Sequence, residues 1–109
     1  MWLITTVGFF SVVQKPGDDD LTVRARVASD LDALRARYLP ELGPTVAHVG
    51  TDYPFRAKVG HEAMARAVAE LVRDIDYANF KDEVTRRQGS LRHKVYAGVW
   101  ARLLALSEH

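Results

Sequence analysis

The length of 109 residues and the 48% apolar fraction predict one globular domain, residues 1–109, and argue against general disorder. Fifteen basic and fourteen acidic residues leave a net charge of +1, which predicts no strong overall attraction to nucleic acid or to an acidic membrane. Because the chain contains no cysteine, a disulfide framework, a thiolate zinc site and a cysteine nucleophile are excluded.

The first predicted elements form a β-hairpin. Residues 2–14 are rich in β-branched and aromatic side chains, which favour a strand, and Gly8 within them marks a bulge or a close backbone approach. Residues 15–20, read KPGDDD, have the composition of a turn. Residues 21–27 alternate apolar and basic side chains, the period of a half-buried strand.

A helix is predicted after this hairpin, with Ser29 as a candidate N-cap residue. Apolar side chains recur with helical spacing on one face, namely Leu31, Leu34, Tyr38 and Leu42. The pair Gly43-Pro44 should end the helix, because proline lacks the amide hydrogen and glycine favours non-helical backbone.

The next part of the chain repeats the same order of elements. Residues 45–49 and 53–59 read as a second hairpin around a Gly-Thr-Asp turn, and a second helix is predicted from about His61 to Ile75. Its apolar stripe has a clear 3.6-residue period and consists of Met64, Val68, Leu71, Val72 and Ile75.

Two further helices are predicted at the C-terminal end. Asp76 is a candidate cap for a short helix over residues 77–88, and Gly89 resembles a helix-ending glycine. Ser90 is a candidate cap for a last helix that runs from Leu91 to about residue 106.

A short repeat links the two hairpins. VRARV at residues 23–27 matches FRAKV at residues 55–59, which indicates two strand–strand–helix halves, although alternating strands followed by amphipathic helices also look alike by chance. We therefore predict an α+β fold: halves 1–43 and 44–75 share a four-stranded, mainly antiparallel sheet with helices on one face. A helical extension follows over residues 76–109.

The repeated strands predict a basic sheet face. Because strand side chains alternate between faces, the apolar positions Val23, Ala25, Val27, Phe55, Ala57 and Val59 should face the helices. The cations at the intervening positions should face the other way, namely Arg24, Arg26, Arg56 and Lys58. Two interpretations stay open: a solvated face with cross-strand acidic partners, or a groove for an anionic ligand.

Four segments carry a resemblance that extends over nearly the whole chain. They read TTVGFFSVV at residues 5–13, LTVRAR at 21–26, GTDYP at 50–54 and IDYANFK at 75–81. Together they resemble a group of small bacterial proteins with no assigned activity. The resemblance implies a bacterial, stand-alone domain and adds no catalytic residues.

Motifs for common chemistries do not occur in the sequence. There is no phosphate-binding glycine loop and no GxSxG nucleophile elbow, and the four histidines lack metal-ligand spacing. Nor does the N-terminal segment match a signal peptide, and no apolar run reaches the roughly 20 residues that a membrane helix needs. We therefore predict a cytoplasmic protein that uses no cofactor or metal and does not enter a membrane.

The leading hypothesis is a non-enzymatic domain that binds an anionic ligand or an acidic protein segment through its basic face, with nucleic acid a less favoured partner. The competing hypothesis is a small enzyme that places Arg24, Arg26, Tyr53 and Ser11 around an anionic substrate. A third is a homodimer joined through a sheet edge or exposed aromatic side chains.

Overall fold

The computed structural model describes residues 1–107. The elements in chain order are β1 (Trp2–Ile4), β2 (Phe9–Val13), β3 (Leu21–Ala25), α1 (Ala28–Arg37), β4 (Val46–Ala47), β5 (Phe55–Val59), α2 (His61–Arg73), α3 (Phe80–Gln88) and α4 (Ser90–Leu103), followed by a 3-10 turn (Leu104–Leu106). They divide into two compact units, Met1–Ile75 and a helical unit that begins at Asp76.

The first unit contains a five-stranded sheet in the order β1-β2-β3-β5-β4, and every neighbouring pair is antiparallel. The predicted α+β class with an antiparallel sheet is therefore confirmed. The predicted number of four strands is wrong, because residues 2–14 form two strands instead of one. Trp2 on β1 pairs with Ser11 on β2, so the chain reverses between them.

The reversal between β1 and β2 is closed by a backbone hydrogen bond from the Thr5 amide to the Gly8 carbonyl at 2.9 Å and by the hydroxyl of Thr5. This group donates to the Gly8 carbonyl at 2.9 Å and accepts from the Val7 and Gly8 amides at 3.1 and 3.2 Å. A threonine side chain thus adds three hydrogen bonds to a tight turn within a segment whose composition favours a strand.

The second reversal confirms the predicted hairpin around residues 15–20. Pro16 and Gly17 occupy the centre of the turn, Gly17 has a φ of 83°, and the Asp18 amide donates to the Lys15 carbonyl at 3.1 Å. Proline followed by a glycine with positive φ is the signature of a type II turn. The turn brings Lys15 and Asp18 to the end of the β2–β3 hairpin.

The core of the first unit lies between one face of the sheet and the helices α1 and α2. The buried apolar side chains come from both layers, with Phe10, Val12, Val23, Ala25, Ala57 and Val59 from the sheet and Leu31, Leu34, Met64 and Ala67 from the helices. The helix-facing role of Val23, Ala25, Ala57 and Val59 is confirmed, and Phe55 packs partly buried against the same core.

Several side chains depart from the predicted pattern. Val27 is 40% exposed, because β3 ends at Ala25 and the strand alternation ends with it. Ser29 does not cap α1, which begins one residue earlier and has Val27 at its N-cap position. Val72, in the last turn of α2, is exposed, and Ile75 is exposed beyond the helix, which ends at Arg73 and not at about Ile75 as predicted.

The second unit is a helical hairpin. α3 begins at Phe80, later than predicted, because the side chain of Asn79 accepts the Asp82 amide at 3.0 Å and takes the capping role assigned to Asp76. Gly89, with a φ of 92°, joins the two helices and occupies the N-cap position predicted for Ser90. No helix within residues 1–107 is long and apolar enough to cross a membrane.

Candidate functional site

The face of the sheet opposite α1 and α2 carries the cations that the sequence pattern places there. Cross-strand pairing aligns Ser11, Arg24 and Arg56 in one row over β2, β3 and β5. Trp2 on β1 and Val46 on β4 complete this row at the two sheet edges. We call the surface formed by Ser11, Arg24, Arg26, Tyr53, Arg56 and Lys58 the basic face.

Arg24 is held in place near the centre of the basic face. Its Nη2 donates to the Ser11 hydroxyl at 2.7 Å, and its guanidinium carbon lies 4.6 Å from the ring centroid of Tyr53. The Nε of Arg24 is buried and has no hydrogen-bond partner among the described residues 1–107. A buried donor without a partner costs free energy.

Tyr53 reaches the basic face from the loop before β5, and three arginines contact it. Arg24 and Arg26 both lie over its ring, the second with its guanidinium carbon at 5.1 Å from the centroid. Arg56 donates from Nε to the Tyr53 carbonyl at 3.2 Å. Tyr53 is only 8% exposed, although it does not belong to the core beneath the helices.

Two further aromatic rings extend this cluster towards the edge of the sheet. The ring of Phe9 lies 6.3 Å from that of Tyr53, and the ring of Trp2 meets Phe9 edge-on at 5.6 Å. Trp2 itself is mostly exposed at the edge strand. The basic face therefore lies beside a cluster of three aromatic rings. Of these, the sequence pattern predicts only Tyr53 as a site residue.

The cations of the basic face differ in their access to acidic partners. Lys58 forms an ion pair with Asp18 at 3.2 Å between Nζ and Oδ2. Within residues 1–107, no carboxylate lies within ion-pair distance of Arg24, Arg26 or Arg56. Arg24 instead stands opposite Arg56 in the strand register, so the cross-strand acidic partners considered above do not accompany these arginines.

A pocket of about 400 Å³ opens beside Arg56 on the same face of the sheet. It lies between the β2–β3 turn, strands β3 and β5, and the segment that leads into β4, and its lining includes Lys15, Asp18, Thr22, Pro44, Val46, His48, Arg56 and Lys58. The sequence pattern assigned Arg56 and Lys58 to this face but not Lys15 or His48. These two belong to a turn and to the end of a short strand, where side-chain alternation makes no prediction.

The chemistry available on the basic face is that of anion binding. Guanidinium groups offer planar pairs of donors that match carboxylate and phosphate oxygens. Ser11 is 1% exposed and its hydroxyl accepts from Arg24, an arrangement that does not suit a nucleophile. Within residues 1–107, no three histidine, aspartate or glutamate side chains cluster closely enough to hold a metal ion.

Comparisons of the chain with protein-family models, with curated proteins and with solved structures found no match.

Proposed function

We propose that the protein is a non-catalytic binding domain that recognises an anionic partner through the basic face. The observation that carries the proposal is the placement of Arg24 directly opposite Arg56, with no carboxylate within ion-pair distance of either in residues 1–107. Like charges directly opposite one another destabilise a sheet. A bound anion between them removes this repulsion.

The positions of the arginines support the same conclusion. Arg24 is fixed by Ser11 and Tyr53, and Arg56 by the carbonyl of Tyr53. Side chains that are already ordered lose less conformational entropy when a ligand binds, so a fixed pair of guanidinium groups binds an anion more tightly than mobile ones.

The charge of the whole chain limits the kind of partner. A net charge of +1 does not favour tight non-specific binding to long duplex DNA, which depends on many phosphate contacts. A small phosphorylated ligand or a short acidic protein segment requires only the local cations of the basic face. These two are the partners that we favour.

The test is a double charge reversal, Arg24→Glu with Arg56→Glu, measured with defined anionic probes. Isothermal titration calorimetry would use inorganic pyrophosphate and a ten-residue polyglutamate peptide in low-salt buffer. We expect the wild type to bind at least one probe and the reversal to weaken that affinity by at least about tenfold, since hydrogen bonds to charged groups contribute about 1.5–3 kcal/mol each.

The matched control is Arg37→Glu with Arg73→Glu. Both arginines are exposed on helices of the same unit, and neither forms an ion pair within residues 1–107. This control changes the net charge by the same amount and should keep the affinity within about twofold of the wild type. Circular dichroism would check the fold, and the milder Arg24→Gln with Arg56→Gln would replace an unfolded reversal.

Equal losses in the control and in the test variant would attribute binding to net charge and overturn the proposal. It would also be overturned if neither probe bound the wild type.

A further inference from the structure

We propose that the pocket beside Arg56 binds a small phosphate monoester, whose phosphate contacts Lys15, Arg56 and Lys58. This inference rests on the proposed function and assigns the ligand to the Arg56 side of the basic face, in a pocket that Arg24 does not line, and to one chemical class. The pocket volume of about 400 Å³ falls in the range of small-molecule sites.

The charges around the pocket match a dianion. Three cations line it, Lys15, Arg56 and Lys58, and Asp18 is the acidic side chain among its lining residues. Their formal sum is +2, which a phosphate monoester near pH 7 balances and a single carboxylate does not. One planar guanidinium and two ammonium groups also suit the three terminal oxygens of a tetrahedral phosphate.

The other walls of the pocket suit an organic group attached to that phosphate. Pro44 and Val46 line the side next to β4, and Val46 is 54% exposed at the sheet edge. A ligand with an apolar or aromatic part would cover this surface, whereas inorganic phosphate would leave it exposed. We therefore assign the site to an ester and not to the free ion.

Asp18 has a defined role in this arrangement. Its Oδ2 holds Lys58 Nζ at 3.2 Å, and the side chain of Lys58 is 61% exposed in this pair. Exposed ion pairs of this kind are weak, so a dianionic phosphate can replace Asp18 as the partner of Lys58. Asp18 therefore competes with the bound anion for Lys58.

The test measures binding of phenyl phosphate, inorganic phosphate and benzoate by isothermal titration calorimetry. We expect phenyl phosphate to bind most tightly, because benzoate lacks the second charge and inorganic phosphate lacks the apolar group. Lys15→Gln with Lys58→Gln should weaken phenyl phosphate binding by at least about tenfold. Asp18→Asn should strengthen it by about twofold to fivefold, the range for removing one exposed ion pair.

Arg37→Gln with Arg73→Gln is the control, because it removes the same number of charges from exposed helix positions. It should leave the affinity within about twofold of the wild type. Side-chain NMR of the lysine ammonium groups provides a second measurement, in which phenyl phosphate should shift the signals of Lys15 and Lys58.

The variants separate the two proposals. If Arg24→Gln weakens phenyl phosphate binding while Lys15→Gln with Lys58→Gln does not, the basic face still binds anions but the pocket assignment is wrong. If phenyl phosphate fails to bind at 10 mM while a polyglutamate peptide binds in an Arg24-dependent manner, the pocket assignment is again overturned and the proposed function stands. If no variant of the basic face or of the pocket changes binding, both proposals fail.

Discussion

Replacing Gly8 by alanine should destabilise the first unit, because a Cβ at this position would overlap with Asp30. The added carbon would lie 2.6 Å from the Asp30 Cγ, 2.8 Å from its Cβ and 2.9 Å from its Oδ2. Asp30 is 4% exposed in the first turn of α1, and its Oδ2 accepts the Phe9 amide at 3.0 Å. The close backbone approach expected at Gly8 is therefore present.

The size of the effect follows from these contacts. The φ of Gly8 does not lie in the left-handed region, so alanine adds no backbone strain there and the cost arises from the clash. If Asp30 moves away, the hydrogen bond from Phe9 to a carboxylate is lost, which costs about 1.5–3 kcal/mol. If Asp30 stays, overpacking costs about 1–3 kcal/mol. We expect a loss of about 2–3 kcal/mol, or about 10–20 °C in Tm for a unit of this size.

Urea unfolding followed by circular dichroism and by Trp2 fluorescence, in a Trp100→Phe background, would measure this loss. Gly60→Ala is the control, since its nearest non-neighbouring atom is the Asp20 carboxylate at 3.9 Å, and it should change stability by no more than about 1 kcal/mol. In an Asp30→Gly background the cost of Gly8→Ala should largely disappear. An equal cost in both backgrounds would refute the clash as its cause.

Two further predictions concern charge. Arg56→Gln should raise the Tm of the ligand-free protein at low salt, because it removes the cation opposite Arg24, and such like-charge pairs cost about 0.2–1 kcal/mol. Thermal melts at about 20 and 500 mM NaCl should show this gain only at the lower salt concentration. A Tm below that of the wild type would contradict the prediction. In the second unit, hydrogen bonds from Arg86 and then Arg87 lower the pKa of Glu83 from its ordinary value of 4.5. Because the pKa of Glu83 is lower in the folded state than in the unfolded state, its carboxylate stabilises the fold above the unfolded-state pKa, and this stability is lost as pH falls through the folded-state pKa. The helical circular dichroism signal should therefore decline below pH 4.5, and Glu83→Gln should flatten that decline.

Side-chain alternation explains why the central strands could be predicted. In β3 and β5 one face packs under the helices and the other does not, so Val23 and Ala57 alternate with cations in a way that only a half-buried strand requires. The same reasoning indicated the face on which Arg24 and Arg56 lie. It did not indicate that these two stand directly opposite one another, because register depends on the turns and on long-range pairing.

The two main errors have physical causes of the same kind. The sequence predicts one strand over residues 2–14 because the turn from Thr5 to Gly8 contains no proline or asparagine and combines a backbone hydrogen bond with those of a threonine hydroxyl. Residue type predicts Ser29 and Asp76 as helix caps, but α1 begins at Ala28 after Val27, and α3 begins at Phe80 after Asn79. Local composition shows which residues suit a turn or a cap and leaves open which of them the fold uses.

The position of Tyr53 among the arginines is the part of the site that no local sequence pattern predicts. Sequence reasoning grouped Tyr53 with the arginines as one more contact for a substrate. The side chain is instead almost fully buried, with Arg24 and Arg26 over its ring and Arg56 on its carbonyl. All three guanidinium groups thus contact one residue, Tyr53. If the basic face binds an anion as we propose, its selectivity should depend on the loop that carries Tyr53 as well as on the strands that carry the charges, because fixed spacing favours anions whose oxygens match it.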